Sequence, residues 1–180
     1  MQPKERPVVQ TVVTIITTLI VVMLAVAVMF VIGMRRKSGL VQGPIIWLGK
    51  RWFNNVGLRT AGQPGAASGV VRHRGRTSGH TYETPVAVIA TDGGFLIALP
   101  YGLRSNWLRN VLANGGAVLV HEGSEHQVSN PVIVPMDTVE TAFAPDQQRM
   151  HRIFGVTEAL QLRRVASDAA VVADAARSAA

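Results

Sequence analysis

The longest hydrophobic run lies near the N-terminus, where no residue between positions 8 and 34 is charged. A helix of this length exceeds the roughly 20 apolar residues that are needed to cross a bilayer. A cleaved signal peptide and a buried core helix are the alternatives. The apolar part of a signal peptide is usually only about 7–15 residues long, and no clear small-residue cleavage site follows this run. The pattern therefore predicts a retained transmembrane anchor.

Basic residues flank this span unequally. Three of them, at positions 35–37, follow it directly, whereas the N-terminal side has only Lys4 and Arg6, partly offset by Glu5. The more basic flank of a span usually stays in the cytoplasm. We therefore expect a single-pass protein of the cytoplasmic membrane, with its N-terminal tip outside and its main domain on the cytoplasmic side.

The segment that follows the span, residues 38–68, is predicted to be an amphipathic linker. Bulky apolar and aromatic side chains at 45–48, 52 and 53 surround Lys50 and Arg51. This composition suits a helix at the membrane interface, and it equally suits a core helix of the globular domain. The stretch AGQPGAASG at its end predicts a loop.

Beyond position 68 the pattern changes to short runs of β-branched residues separated by turn residues, which predicts strands. The predicted strands cover residues 69–74, 83–90, 94–99, 117–121 and 125–134. The sequences TDGG (91–94) and HEGSE (121–125) predict hairpin turns.

Two helices are predicted among these strands. In RSNWLRNVLANGG, Ser105 can cap a helix whose apolar residues recur at helical spacing until Gly115 ends it. In APDQQRMHRIFG, Pro145 lies in the first turn and Gly155 follows the last. The later stretch LQLRRVA (160–166) fits either a strand or the start of a helix.

The order of these elements shows a helix between hairpins and no βαβ alternation. It predicts a mainly β, α+β domain at residues 69–166, closed as a small barrel or half-barrel because closure removes exposed sheet edges. The other predicted parts are the N-terminal tip and anchor (1–37), the linker (38–68) and an Ala-rich tail (167–180).

Charge and composition narrow the chemistry of the partners. The net charge of +7 and the isoelectric point near 11.0 suggest lipid headgroups, nucleic acid or a negatively charged cofactor. The absence of cysteine excludes disulfides and thiolate chemistry. The five histidines show no metal-ligand spacing, so we expect no metal site. His121 and His126 flank one predicted turn and could face each other, but they are expected to be surface residues.

The stretch VVRHRGRTSGHTYETPVAV (70–88) is the candidate anion site. Arg72, Arg74 and Arg76 alternate and would share one strand face. The glycines of GRTSG allow a close approach of backbone amides, and its Thr and Ser add hydroxyls. The spacing and the lysine of a Walker loop are absent. Taken alone, this short motif favours a solvated basic hairpin over an anion site.

A second stretch shifts this balance. GRTSGHTYETPV followed by ALPYGLRSNWLRNVLANGGAVLV resembles the deazaflavin-dependent nitroreductase family, also described as F(420)-dependent quinone reductases. The resemblance covers residues 68–134, with a weaker similarity in RIFGVTEALQLRRV. It implies a split β-barrel related to flavin-mononucleotide-binding oxidoreductases. It also implies coenzyme F(420), whose tail carries a phosphate and glutamate carboxylates; flavin mononucleotide is the second choice.

The resemblance also implies a set of cofactor-binding residues. They are Arg74, Gly75, Arg76, Thr77, Ser78 and Gly79 around the coenzyme tail, Pro85 in the following strand, and Asn106, Trp107 and Asn110 at the helix start. Many relatives have Lys where this chain has Thr77, and Arg where it has Tyr82. Arg72 and Arg74 are expected to compensate for these two missing cations.

The implied activity is hydride transfer from the reduced deazaflavin to a quinone or a nitroaromatic acceptor. Tyr101 and Tyr82 are the candidate catalytic hydrogen-bond donors, with a packing tyrosine as the alternative for each. The alternative function is a non-catalytic split-barrel module that binds a flavin-like or lipid ligand. Nucleic acid is not an expected partner, because the strands lack interleaved aromatic residues for base stacking. A homodimer is compatible with this barrel type.

Overall fold

The computed structural model of the chain describes residues 6–36, 60–66 and 68–165. The predicted amphipathic stretch at 45–53, the N-terminal flank up to Glu5, Lys37 and the predicted tail at 167–180 lie outside the described residues.

The described helices are the N-terminal apolar helix and three shorter ones that belong to the domain. They are α1 (Arg6–Arg35), α2 (Asn106–Asn114), α3 (Met136–Val139) and α4 (Pro145–Phe154), with 3-10 turns at Gly102–Arg104 and Glu140–Ala142.

The strands form one antiparallel sheet of seven strands in the order β2-β1-β5-β6-β7-β4-β3. Their bounds are β1 (Ser68–Arg74), β2 (Thr81–Ala87), β3 (Ile89–Thr91), β4 (Gly94–Ala98), β5 (Gly116–His121), β6 (Ser124–Pro135) and β7 (Glu158–Arg164). The sheet curls into a half-barrel, which confirms the predicted α+β half-barrel at that level.

Most predicted elements are confirmed, and the differences are local. The single strand predicted over 83–90 is wrong, because the chain leaves the sheet at Val88 and β2 and β3 lie at opposite edges of it. LQLRRVA lies mainly in β7. Ser105 lies at the N-cap position of α2 but makes no capping hydrogen bond; its hydroxyl instead donates to the Gly102 carbonyl at 3.4 Å.

Alternation along β1 separates the interior of the half-barrel from its outside. Val71 and His73 are buried, whereas Arg72 is half-buried and Arg74 is exposed. This is the pattern of a strand with one face on a core. The core on the inner face consists of Val71, Val88, Phe95, Ile97, Leu99, Leu108, Val111, Leu119, Val128, Leu160 and Leu162. Leu108 and Val111 come from α2, so this helix covers the inner face.

Both predicted hairpin turns are confirmed. Glu122 and Gly123 connect β5 to β6 with φ of 50° and 72°, and positive φ at both positions is what a type I′ turn requires. Asp92 and Gly93 connect β3 to β4. The helix predicted in APDQQRMHRIFG is also confirmed, since Gly155 ends α4 with φ of 64°.

Helix α1 differs from every other element because almost all of its apolar side chains are exposed. The most apolar window of the stretch Val9–Arg35 has a mean hydropathy of 3.1 and no buried residue, so the core-helix alternative is wrong for the described part of the chain. Among the described residues, only the C-terminal end of α1 packs on the domain: Gly33 and Met34 are buried, and the rings of Phe30 and Phe154 meet edge-on at 6.1 Å.

Candidate anion-binding loop and its support by helix α2

The connection between β1 and β2, residues 75–80, is closed by its own backbone. We call it the GRTSG loop. The Gly75 amide donates to the His80 carbonyl at 2.8 Å, and the Gly79 amide donates to the Gly75 carbonyl at 2.9 Å. Gly79 has a φ of 69°, a conformation that glycine adopts without steric cost. The two glycines therefore fix the shape of the loop.

The space around position 75 is too crowded for a side chain, so this position requires glycine. A Cβ at this position would lie 2.8 Å from Cε2 of Tyr82 and would also collide with Oγ of Ser78. These two side chains are themselves joined, since the Ser78 and Tyr82 hydroxyl oxygens are 3.0 Å apart. Tyr82 therefore braces the loop from β2.

Asn110 of α2 holds the loop from the other side. Its Oδ1 accepts hydrogen bonds from the Arg76 amide at 3.2 Å and from Arg76 Nη1 at 2.8 Å. Because two donors meet Oδ1, the side-chain amide nitrogen faces the other way, where it lies 3.2 Å from Nδ1 of His73. Asn110 is only 7% exposed, so the contact fixes loop, helix and strand together.

His73 completes this chain of contacts inside the half-barrel. Since Asn110 presents a donor to Nδ1, Nδ1 accepts and the ring proton lies on Nε2, which donates to Thr84 Oγ1 at 3.2 Å. This arrangement needs a neutral imidazole. Burial favours the same state, because it lowers the pKa of His73 below the usual 6.5.

Asn114, one helical turn after Asn110, adds a further contact. Its side-chain amide donates to the Arg74 carbonyl at 2.8 Å and to the Asn110 carbonyl at 2.6 Å. Residues four apart share a helix face, so the α2 face with Asn110 and Asn114 lies against the end of β1 where the loop begins.

The three arginines in and just before the loop divide into two groups. Arg72 is held by Glu83 at 2.9 Å and by Glu125 at 2.8 Å, and hydrogen bonds to these carboxylates raise the pKa of Arg72. The expectation that Arg72 compensates for the missing cations is therefore wrong, because two acids already neutralise it. The expectation that Arg76 shares its strand face is also wrong, since β1 ends at Arg74.

Arg74 and Arg76 keep their charge available. Nε of Arg74 donates to the Gly79 carbonyl at 3.1 Å, and Arg76 contacts the neutral Asn110. Within residues 6–36, 60–66 and 68–165, no carboxylate pairs with either guanidinium. Both residues are exposed. Two cations without acidic partners therefore flank the loop.

The backbone amides that remain available are at the loop tip. The amides of Gly75 and Gly79 are used to close the loop, whereas no hydrogen bond engages those of Thr77 and Ser78 within the described part of the chain. Beside the loop lies an open groove of about 400 Å³, and its lining includes Arg74, Thr81 and Asn114. Free amides beside guanidinium groups suit phosphate or carboxylate oxygens.

The structure brings most of the predicted cofactor-binding residues together, with three exceptions. Pro85 pairs with Val70 in the edge strand β2, away from the loop. An edge strand tolerates proline, which lacks a backbone N–H donor. Trp107 packs against the core. Asn106 is exposed and lies one turn before Asn110.

The two candidate tyrosines lie in different surroundings. Tyr82 is 45% exposed, stacks on His73 with ring centroids 5.9 Å apart, and shares a hydrogen bond with Ser78. Tyr101 lies in the turn after β4 and is half-buried. No hydrogen bond or ring contact joins Tyr101 to the loop among the residues with described positions. The catalytic role of each tyrosine stays a prediction.

Three supporting residues were missed by sequence reasoning: His73, Thr84 and Asn114. His73 is the most buried of them, with only 5% of its surface exposed. Its position between Arg72 and Arg74 was the available signal, because the alternation that exposes the arginines turns His73 inward. The spacing of Asn110 and Asn114 was the corresponding signal on α2.

His121 and His126 lie at the opposite end of the strands, beside the β5–β6 turn. Both are half-buried, and their rings lie 6.0 Å and 5.1 Å from the ring of Phe95. No group of three metal-ligating side chains comes together in the described ranges. These two histidines pack on an aromatic residue and take no part in the loop.

No protein-family model matches this chain, and no curated protein matches it closely enough to count as a relative.

Proposed function

We propose that this chain is a membrane-anchored oxidoreductase of the split-barrel type that uses reduced coenzyme F(420) to reduce a quinone or a nitroaromatic acceptor. One observation carries the proposal. The GRTSG loop is held by Asn110, while among the described residues Arg74 and Arg76 have no acidic partner and the amides of Thr77 and Ser78 make no hydrogen bond. A loop held in this way is prepared for a polyanion, since little ordering remains to be done on binding.

The residues present fit the acidic tail of this coenzyme. The guanidinium groups of Arg74 and Arg76 would hold its phosphate or carboxylates, and the amides of Thr77 and Ser78 would add uncharged donors. The site is less cationic than in the relatives described above, because Thr77 and Tyr82 stand where many of them have Lys and Arg. Weaker binding of the tail is expected as a result.

When bound, the reduced deazaflavin supplies the hydride, and the protein supplies orientation and protons. Asn110 and His73 would keep the loop, and so the bound tail, in a fixed position relative to the half-barrel. Tyr101, in the turn after β4, remains the candidate donor to the acceptor carbonyl. Tyr82 is the weaker candidate, because its hydroxyl is shared with Ser78.

The anchor is part of the same proposal. One helix in the described residues, α1, is long and apolar enough to cross a membrane. Its C-terminal end packs on the domain through Phe30, Gly33 and Met34, which favours a retained span over a cleaved signal. The basic flank supports a cytoplasmic domain. A tethered domain of this kind would meet a lipid-soluble quinone at the bilayer surface.

The test is a fluorescence titration of the detergent-purified full chain with F(420) and, separately, with flavin mononucleotide. Arg76→Gln is expected to weaken F(420) binding about tenfold, since a charge-assisted contact is worth roughly 1.5–3 kcal/mol. Arg109→Gln is the matched control, because Arg109 is exposed on α2 next to Asn110. An absence of binding at micromolar concentrations, or equal effects of the two variants, would contradict the proposal.

The alternative is a non-catalytic module with the same loop, and the engagement of Tyr82 with Ser78 favours it. A turnover assay with the reduced coenzyme and menaquinone separates the two functions. Oxidation of the coenzyme supports the enzyme, whereas tight binding without oxidation supports the module.

A further inference from the structure

Helix α4 carries an exposed apolar face that the half-barrel does not use. Met150 is 47% exposed and Ile153 is 39% exposed, one turn apart at the C-terminal end of the helix. The opposite side of α4 contacts the domain, where the His151 ring meets Phe143 edge-on at 4.8 Å and Gln148 donates to the Phe143 carbonyl at 2.7 Å. The apolar pair therefore faces away from the core.

This face lies beside the C-terminal end of α1. A Cβ on Gly155 would lie 3.4 Å from Cγ of Arg35, and the Phe154 ring reaches back to Phe30. Phe30 and Arg35 are five residues apart, which is about 7–8 Å along a helix axis. The end of α4 is thus level with the last turns of α1, and Phe154 contacts a residue of the uncharged run itself.

The length of α1 shows where this contact falls if the helix spans a bilayer. The apolar stretch Val9–Arg35 contains 27 residues, whereas roughly 20 cross the hydrocarbon layer. Counted from Val9, the hydrocarbon ends near Val28. The following two turns, with Phe30, then lie at headgroup depth, and α4 lies at the same depth.

Cations predominate around the C-terminal half of this face, which suits anionic headgroups; the exposed Asp146 lies one turn earlier. Arg35 and Arg36 at the end of α1 and Arg149 on α4 are exposed. Arg152 is 69% exposed and has only a long contact of 3.9 Å with Glu140. Cations next to partly exposed apolar side chains are typical of helices that lie in a membrane interface.

We propose that α4 is a membrane-interface helix, with Met150 and Ile153 inserted at the boundary of headgroups and acyl chains and with Arg149 on lipid phosphates. The inference rests on the proposed anchor. It makes the domain a body held against the bilayer at a fixed orientation, with α4 as the second point of contact.

The absence of native cysteine permits single-cysteine labelling of the full chain. Met150→Cys and Ile153→Cys would carry an environment-sensitive fluorophore in vesicles of phosphatidylcholine and phosphatidylglycerol that contain acyl-chain spin-labelled lipid. Leu112→Cys is the matched control, because Leu112 is an apolar residue on α2 with the same 39% exposure as Ile153. Leu19→Cys in the middle of α1 reports the anchor itself.

Quenching at positions 150 and 153 is expected to exceed that at 112 by about threefold or more, since the labels would lie within roughly 5–10 Å of the acyl chains. Arg149→Glu is expected to reduce quenching at 153. Quenching at 150 and 153 equal to that at 112, together with strong quenching at 19, overturns the inference and keeps the anchor. Absence of quenching at position 19 overturns the anchor, and the inference with it. Disulfide-linked dimers of Ile153→Cys without lipid quenching would identify the face as a contact between two copies, which also overturns the inference.

Discussion

The two hairpin connections at opposite ends of the β1–β5 pair differ in how their polar groups are engaged. The polar groups of the β5–β6 turn make hydrogen bonds within the fold. Glu122 accepts from the Gly65 amide at 2.8 Å, and the Gly123 amide donates to the Gly62 carbonyl at 2.5 Å. The GRTSG loop is also closed by its own backbone, yet in the described part of the chain Arg74 and Arg76 have no acidic partner and the Thr77 and Ser78 amides make no hydrogen bond.

This difference distinguishes polar groups that stabilise the fold from polar groups that stay available to a ligand. Both connections are exposed and polar in sequence, but of the two only the GRTSG loop has neighbouring cations with no acidic partner among the described residues. The buried Asn110 and His73 support the loop on the side that faces the half-barrel. The exposed side of the loop therefore does not have to make stabilising contacts of its own. A rigid loop with unused donors is the arrangement that a polyanion requires.

The largest effect is expected from Asn110→Ala. The change leaves Nδ1 of the buried His73 without a partner, which costs about 1–3 kcal/mol, and it also removes the acceptor of the part-buried bond from the Arg76 amide. We expect a loss of about 3 kcal/mol in the free energy of unfolding, together with loss of coenzyme binding, measured by denaturation of the full chain in detergent and by titration.

Asn114→Ala is the control on the same helix. Asn114 is exposed, so water replaces its contacts and a loss of only about 0.5–1 kcal/mol is expected. Equal effects of the two variants would contradict the view that the loop is held through Asn110.

Gly75→Ala and Gly123→Ala compare the two connections directly. At Gly75 the new methyl meets Tyr82 and Ser78, and overpacking of this kind costs about 1–3 kcal/mol; we expect weaker coenzyme binding as well. At Gly123 the φ of 72° imposes a cost of about 1–2 kcal/mol, and binding should be unchanged. Unfolding curves and titrations of both variants check this.

Gly93→Ala is the neutral reference, because a Cβ there meets no atom within 4 Å. If Gly123→Ala weakened binding as much as Gly75→Ala, the two connections would not be functionally distinct.

Acidification should loosen the loop end of the barrel. The pKa of His73 is lowered in the folded protein, so the unfolded chain binds more protons as the pH falls. The stability contributed by neutral His73 is therefore present above its unfolded pKa of about 6.5 and is lost as the pH falls through that value towards the folded pKa. Denaturation between pH 8 and about pH 5 measures the slope.

His73→Gln keeps an acceptor and a donor but cannot titrate, so its stability should fall less steeply with acidification. A residual slope is expected, because burial also lowers the pKa of His126 and His151. Identical slopes for the variant and the natural chain would exclude His73 as the responsible group.

The smallest effect is expected from Glu122→Gln at the β5–β6 turn. The exposed Glu122 carboxylate loses its charge but still accepts from Gly65, so a loss of about 0.5 kcal/mol and no change in coenzyme affinity are expected. A measurable change in affinity in the titration would show that this end of the barrel also takes part in binding.

Local chemistry made much of the architecture predictable. The β-branched runs, the turn at Glu122 and Gly123, and Pro145 with Gly155 around α4 are short-range signals, and each is confirmed. The break at Val88 was not predictable, since β2 and β3 are continuous in composition and separate only because they occupy opposite edges of the curled sheet.

The sequence by itself determined the anchor-like helix, the half-barrel class and the position of the loop, because these follow from periodicity, turn residues and charge near one another in the chain. Only the tertiary structure decided which polar groups remain available. Arg72 is neutralised by Glu125, 53 positions away, and Arg76 is held by Asn110, 34 positions away. Whether a charge is free depends on partners that folding brings close, and no local pattern records them.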